Sequence, residues 1–115
     1  MEYTYKLQII TPSIKDALKV SKILGVEATH ITNAYWELEI TEKKSDPPIY
    51  FIDLFIDYLT GNYDELVKIG IVRDNISISM TYKYDQQCNM EFSPEEAKKV
   101  GRHGIKLGIS CWKNS

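Results

Sequence analysis

Asp53 and Asp57, four residues apart, are the pair in this chain best spaced for chemistry. On a helix they share a face, and two carboxylates so placed can hold a divalent cation or divide acid and base roles. The same spacing on a solvated face costs only about 0.2–0.5 kcal/mol of like-charge repulsion, so spacing alone favours an ordinary surface. Other reactive groups are scattered. His30 and His103 are the two histidines, and neither has a partner at ligand spacing. A zinc site would require Cys88, Cys111 and His103 to be gathered by the fold, without any CxxC spacing to prepare it. Either cysteine acting as a nucleophile with His103 is equally unprepared, because strand cysteines mostly serve as small core residues. Gly104 and Gly108 open a strand and do not form a phosphate-cradling loop. No catalytic residue, metal site or cofactor is expected.

Composition sets the frame for these groups. The chain has 115 residues, 43% hydrophobic and 26% charged, which suits one domain spanning 1–115 with a genuine core. MEYTYKLQII lacks the basic and apolar regions of a signal peptide, and no apolar run reaches membrane-spanning length. Two distant cysteines fit reduced thiols and a cytoplasmic location. A formal net charge of −2 disfavours nucleic acid as a partner. The charge is nevertheless segregated. Between Ser45 and Val67 there are five acids and no Lys or Arg; from Ala97 to Ser115 there are five bases and no acid.

The elements that must position these residues follow from periodicity. Tyr3, Tyr5, Leu7 and Ile9 alternate with polar residues, as do Trp36, Leu38 and Ile40, and Ile76 through Tyr84; each pattern predicts a strand. Thr11-Pro12-Ser13 starts a helix whose inner face is Ile14, Ala17, Leu18, Ser21 and Leu24, and Gly25 ends it. His30 to Asn33 and Glu42 to Pro48 read as loops. Ile49, Ile52, Phe55, Ile56 and Leu59 predict an amphipathic helix, with Asn62 and Glu65 capping a short second one. Asp85-Gln86-Gln87 should turn the chain into a short returning strand through Cys88, Met90 and Phe92. Ser93-Pro94-Glu95-Glu96 is a capping box for a helix ending at Gly104, followed by a last strand from Ile105 to Cys111. Thr11-Pro12, Lys19-Val20 and Gly25-Val26 are echoed by Ser93-Pro94, Lys99-Val100 and Gly104-Ile105. The expected fold is α+β: a largely antiparallel sheet of four or five strands with helices on one face, for which a ferredoxin-like arrangement of two βαβ-like halves is one form.

Leu24-Gly25-Val26-Glu27-Ala28-Thr29, the Trp36-Glu37-Leu38 strand, Met90-Glu91-Phe92-Ser93-Pro94-Glu95 and the strand from Gly104 to Ser110 together resemble the bacterial domain-of-unknown-function 4279 family. Ala28 stands where that family tends to have Pro. The family has no established chemistry, and some similar small proteins encoded beside polymorphic toxins look like immunity proteins. The resemblance thus implies a bacterial, non-enzymatic binding protein that neutralises a toxin by occluding it. Its expected contacts are Asp53, Asp57, Tyr58, Tyr63, Asp64 and Glu65, acids and aromatics suited to a basic protein partner. The alternatives are a small-molecule sensor or enzyme with Trp36, Tyr82, Tyr84 and Trp112 around a pocket on the sheet, or a phage antidefence inhibitor. No membrane partner is expected, and an exposed last strand would allow a homodimer by edge pairing.

Overall fold

Alternating apolar and polar residues place one strand at the centre of the sheet. β1 (Glu2–Ile10) buries Tyr5, Leu7 and Ile9 and turns Thr4, Lys6 and Gln8 the other way. It is flanked on both sides by antiparallel neighbours, β3 (Tyr35–Lys43) and β4 (Ile76–Tyr84), with Leu7 opposite Leu38 on one side and Ile78 on the other. A two-residue β2 (His30–Ile31) lies outside β3, and β5 (Lys106–Lys113) lies outside β4 and parallel to it, giving the order β2-β3-β1-β4-β5. The computed structural model describes residues 2–85 and 89–113.

All helices bury residues in the core formed by one face of this sheet. α1 (Ile14–Leu24) contributes Ala17, Val20 and Leu24, and its Ser21 Oγ accepts a 2.9 Å hydrogen bond from Nε1 of the fully buried Trp36. α2 (Phe51–Leu59) contributes Phe51, Ile52, Phe55, Ile56 and Leu59. α3 (Tyr63–Lys68) adds Leu66, and α4 (Pro94–His103) adds Val100. Among the described residues no helix is long and apolar enough to cross a membrane.

The α+β class, the largely antiparallel sheet and the one-sided helices agree with the periodicity. The two halves are not equivalent, however. β4-α4-β5 is a crossover to an adjacent parallel strand, whereas α1 joins β1 to β2, which lies parallel to β1 on the far side of β3. A ferredoxin-like core is nevertheless present: β1-α1-β2 sets β2 parallel to β1 with β3 between them, and the chain from β3 through α2 and α3 sets β4 parallel to β3 with β1 between them. The expected returning strand is absent where described: Asn89–Phe92 is irregular, and Gln86, Gln87 and Cys88 lie outside the described residues. Its physical reason is direct, since β4 is hydrogen-bonded by β1 on one edge and β5 on the other and has no edge left.

Smaller differences have local causes. α1 is capped by Ser13, whose Oγ accepts from the Asp16 N–H at 3.2 Å, so the helix starts one residue after the Thr-Pro-Ser signal. Its inner stripe includes Val20, leaving Ile14 and Leu18 exposed. α2 starts at Phe51, after the half-buried Ile49, and swings Tyr50 into solvent. Asn62 does precede α3, but its side chain makes no cap; its Nδ2 donates to the Tyr58 carbonyl at 2.8 Å. The capping box of α4 forms as written, with Ser93 Oγ accepting from Glu96 N and Glu96 Oε1 accepting from Ser93 N, both at 3.1 Å.

Phe55 has no solvent exposure and is the largest buried side chain of α2. Truncating it removes transfer energy and leaves a cavity between α2 and the sheet. Phe55→Ala should therefore cost about 3–5 kcal/mol in urea unfolding, with an unchanged slope.

Candidate functional site

Burial of its five apolar residues fixes which way α2 turns its carboxylates. Asp53 points toward α4 and forms a short charge-assisted hydrogen bond with Lys99 Nζ. That bond pushes the Lys99 ammonium above the usual lysine range, with smaller help from the charges of Asp53, Asp57 and Glu96. The acidic middle and the basic C-terminal helix, far apart in sequence, thus meet within one molecule. Asp57 is exposed one turn later and, among the described residues, has no ion pair.

The turn from α2 to α3 is tightly specified. Gly61 adopts a left-handed φ of 81°, which a side chain would strain, and Thr60 Oγ1 donates back to the Ile56 carbonyl at 2.8 Å. With Asn62 bonded to the Tyr58 carbonyl, these contacts hold Tyr58 half-buried and project Tyr63 from the first position of α3. Asp64 is exposed without an ion pair among the described residues, while Glu65 is taken up by Lys68 at 2.8 Å.

Tyr63 is the hub of this corner. Its hydroxyl lies 2.5 Å from His103 Nδ1, and the Arg73 guanidinium sits 3.4 Å above its ring. Arg73, in a 3₁₀ turn (Arg73–Asn75), also donates to the His103 carbonyl at the end of α4. Burial raises the Tyr63 hydroxyl above its ordinary range, partly offset by Arg73, so the phenol keeps its proton. Burial lowers His103, and the charges of Arg73 and Lys99 lower it further. A neutral His103 accepting at Nδ1 from the Tyr63 O–H, with its own proton on Nε2, satisfies both shifts. Gly61, Tyr63, Asp64 and Arg73 line a cleft of about 200 Å³, room for a partner's side chain rather than for an enclosed substrate.

The six expected contact residues therefore separate. Tyr58, Tyr63, Asp64 and Asp57 belong to the exposed or half-buried surface of one helical corner; Asp53 and Glu65 are already paired within the chain. Arg73 and His103 belong to the corner and were not expected there. His103 sits in the last turn of a helix legible from its caps, but nothing in the residues around Arg73 signals that it will lie over Tyr63.

The four aromatics expected to line a pocket do not converge. Trp36 is inside the core, and Trp112, in register with Lys83, is on the opposite face of the sheet from Tyr82. Rings gather instead at the far end of the sheet, where Tyr3 stacks on Tyr82 and Tyr5 on Phe51, each at 4.5 Å between centroids. A groove of about 310 Å³ opens beside them, bordered by Glu42, Glu91 and Glu96. The Tyr5 hydroxyl donates to Glu42 Oε1 at 3.1 Å, and burial followed by this bond drives its pKa above the usual tyrosine range.

His30 is exposed on β2, in the stretch from His30 to Asn33 that the sequence pattern reads as loop, with Nε2 3.6 Å from Glu39 and 4.0 Å from the buried Glu37. Among the described residues no group of three or more His, Cys, Asp or Glu side chains comes together that could hold a metal ion, and Cys88 lies outside them. No family model, curated protein or solved structure matches the chain.

Because the folded-state pKa of His103 is depressed, its neutral form is the one the fold favours. Its contribution to stability is complete above the unfolded value of about 6.5 and is lost as pH falls from there through the folded value. A proton-detected titration of His103 should give a midpoint below about 6.5, and Arg73→Gln should move it upward by removing the nearby cation. An unchanged midpoint in that variant would refute the assignment of Arg73.

Proposed function

We propose that the protein is a non-enzymatic binding protein that neutralises a cognate protein toxin by covering its working surface, with the corner of α2 and α3 as its contact. The observation that carries this reading is the pairing pattern of the acids. Asp53 and Glu65 are satisfied within the chain, whereas Asp57 and Asp64 are exposed without ion pairs among the described residues, next to the half-buried Tyr58 and Tyr63. Rigidly held tyrosines bury area with little loss of side-chain freedom, and exposed carboxylates speed encounter with a basic partner. The resemblance to the domain-of-unknown-function 4279 family supports the same reading, together with a bacterial, cytoplasmic setting.

The test is a pull-down from the native host with mass spectrometry, followed by kinetics on the captured protein. Asp57→Lys with Asp64→Lys should lower the association rate constant about tenfold or more at low ionic strength and less at high salt, without changing the melting temperature. Protection and association rate surviving that double reversal in a folded variant would end the proposal.

The groove beside Tyr3 and Phe51 favours a second reading, a sensor or enzyme for a small molecule. It predicts a metabolite carried through native purification and released on denaturation. Tyr3→Ala should abolish that carriage while leaving toxin protection intact.

A further inference from the structure

Among the described residues β5 forms one edge of the sheet, and its charged residues, Lys106 and Lys113, stand only at its two ends. It runs for eight residues without Pro, seven of them exposed, and it carries Ile109 at 45% and Trp112 at 63% exposure. On the other side β2 pairs only with Trp36 and Glu37, and the remaining edge of β3 carries the charged Glu39, Glu42 and Lys43. Long unprotected edges are pairing templates, so the question is which strand fits.

The register with β4 sorts the side chains of β5. Leu107, Ile109 and Cys111 share the face of the buried Ile78, Met80 and Tyr82, while Lys106, Gly108, Ser110 and Trp112 share the open face of Ser77, Ser79, Thr81 and Lys83. A second copy paired antiparallel in one continuous sheet must match core-side to core-side residues, so its register can shift only in steps that preserve this sorting. Centred on Ile109, every pair from Lys106 to Trp112 is compatible, and Lys113 falls beyond the strand of the mate. Ile109 meets its own mate, Leu107 meets Cys111, Gly108 meets Ser110, and Lys106 meets Trp112, a cation beside an aromatic ring, twice over. Centring on Ser110 would set Lys113 against Leu107. Centring on Gly108 would leave Trp112 beyond the paired residues.

A second, independent feature lies on the same side. Lys99 turns one flank of α4 to α2, and α2 lies over β1 through the stack of Phe51 on Tyr5. The opposite flank, toward the β5 edge, carries Ala97 and Gly101, four residues apart and both exposed. Glycine inside a helix weakens it relative to alanine, and a Cβ at Gly101 would meet nothing within 4 Å in the chain. Nothing among the described residues fills the space a Cβ would take there, and close approach of a second α4 across a two-fold axis would use that space.

We propose that the protein forms a two-fold symmetric dimer by antiparallel pairing of β5 with β5 of a second copy, in the register centred on Ile109, with α4 packed beside its mate at Ala97 and Gly101. The interface is isologous and closes at two copies, which covers the β5 edge of each copy and leaves the corner of α2 and α3 open.

Sedimentation equilibrium of the full chain from micromolar to millimolar concentration should show a dimer. Ile109→Lys sets two like charges opposite each other, and Gly101→Leu blocks the helix approach; each should weaken dimerisation about tenfold or more. Gly101→Leu should at the same time raise the melting temperature of dilute protein, which separates lost pairing from lost folding. For the register, Ile109→Cys in a Cys88→Ser, Cys111→Ser background should oxidise to a linked dimer faster than Ser110→Cys in that background. A monomer throughout the range, a dimer indifferent to both interface variants, or linkage no faster at 109 than at 110 would each overturn the proposal.

Discussion

The structure depends on burying α2 against the sheet, beside α4. Nine residues long, α2 is rich in aromatic and β-branched side chains, starts at Tyr50 without a side-chain cap, and ends at Thr60, whose hydroxyl bonds back to Ile56. Such a segment is too short and too poor in helix formers to persist alone in water. Its helicity comes from Phe51, Ile52, Phe55, Ile56 and Leu59 leaving solvent together. Once they do, the rotation of α2 is fixed, and with it the direction of Asp53, the meeting with Lys99 and the placement of Tyr58. α4 is specified in the opposite manner. Its capping box, first-turn Pro and left-handed Gly104 define it locally, while Val100 is its one buried residue. A helix made by its surroundings is thus lined up against a helix made by its own sequence.

That contrast explains what was legible in the residues. β1, β3, β4 and α4 could be read because each signal is local: strict alternation, or a cap at both ends. The inner face of α1 is ambiguous in the sequence, because Leu18 and Val20 are both apolar and only the location of the sheet selects Val20. β2 is too short to show a period. The strand expected after β4 failed for a reason no local pattern contains, since β1 and β5 occupy both edges of β4. Likewise Arg73, in an irregular segment, reaches Tyr63 and His103 only through the three-dimensional path of the chain.

The charge segregation shows the same limit at the level of function. Blocks of opposite sign in one sequence suggest an external partner for each. Here part of each block is the partner of the other, because α2 and α4 lie side by side and Asp53 faces Lys99. An exposed pair of this kind adds little to stability, since both groups remain well solvated. Its effect is on selectivity. It fixes which of the acids still project a field outward, and it keeps a cation near His103, helping to hold the imidazole neutral and able to accept from Tyr63. The electrostatics of the α2 and α3 corner are therefore set from α4, although α4 contributes no carboxylate to it.

The asymmetry of the two halves has a consequence for where a partner can bind. α1 crosses from β1 over β3 to the short β2, which pairs with β3 at Trp36 and Glu37 on that side of the sheet. The parallel crossover through α4 leaves β5 as an uncovered edge on the other side. The open sheet face between them is lined by Thr, Ser, Lys and Gln and offers few apolar anchors. Side chains that combine area with a polar end, Tyr58 and Tyr63, are instead concentrated at the helical corner. Trp112 and Ile109 are concentrated at the β5 edge. Two surfaces so different in chemistry, one acidic with tyrosines on helices and one basic along a strand edge, are suited to different occupants, and neither blocks the other.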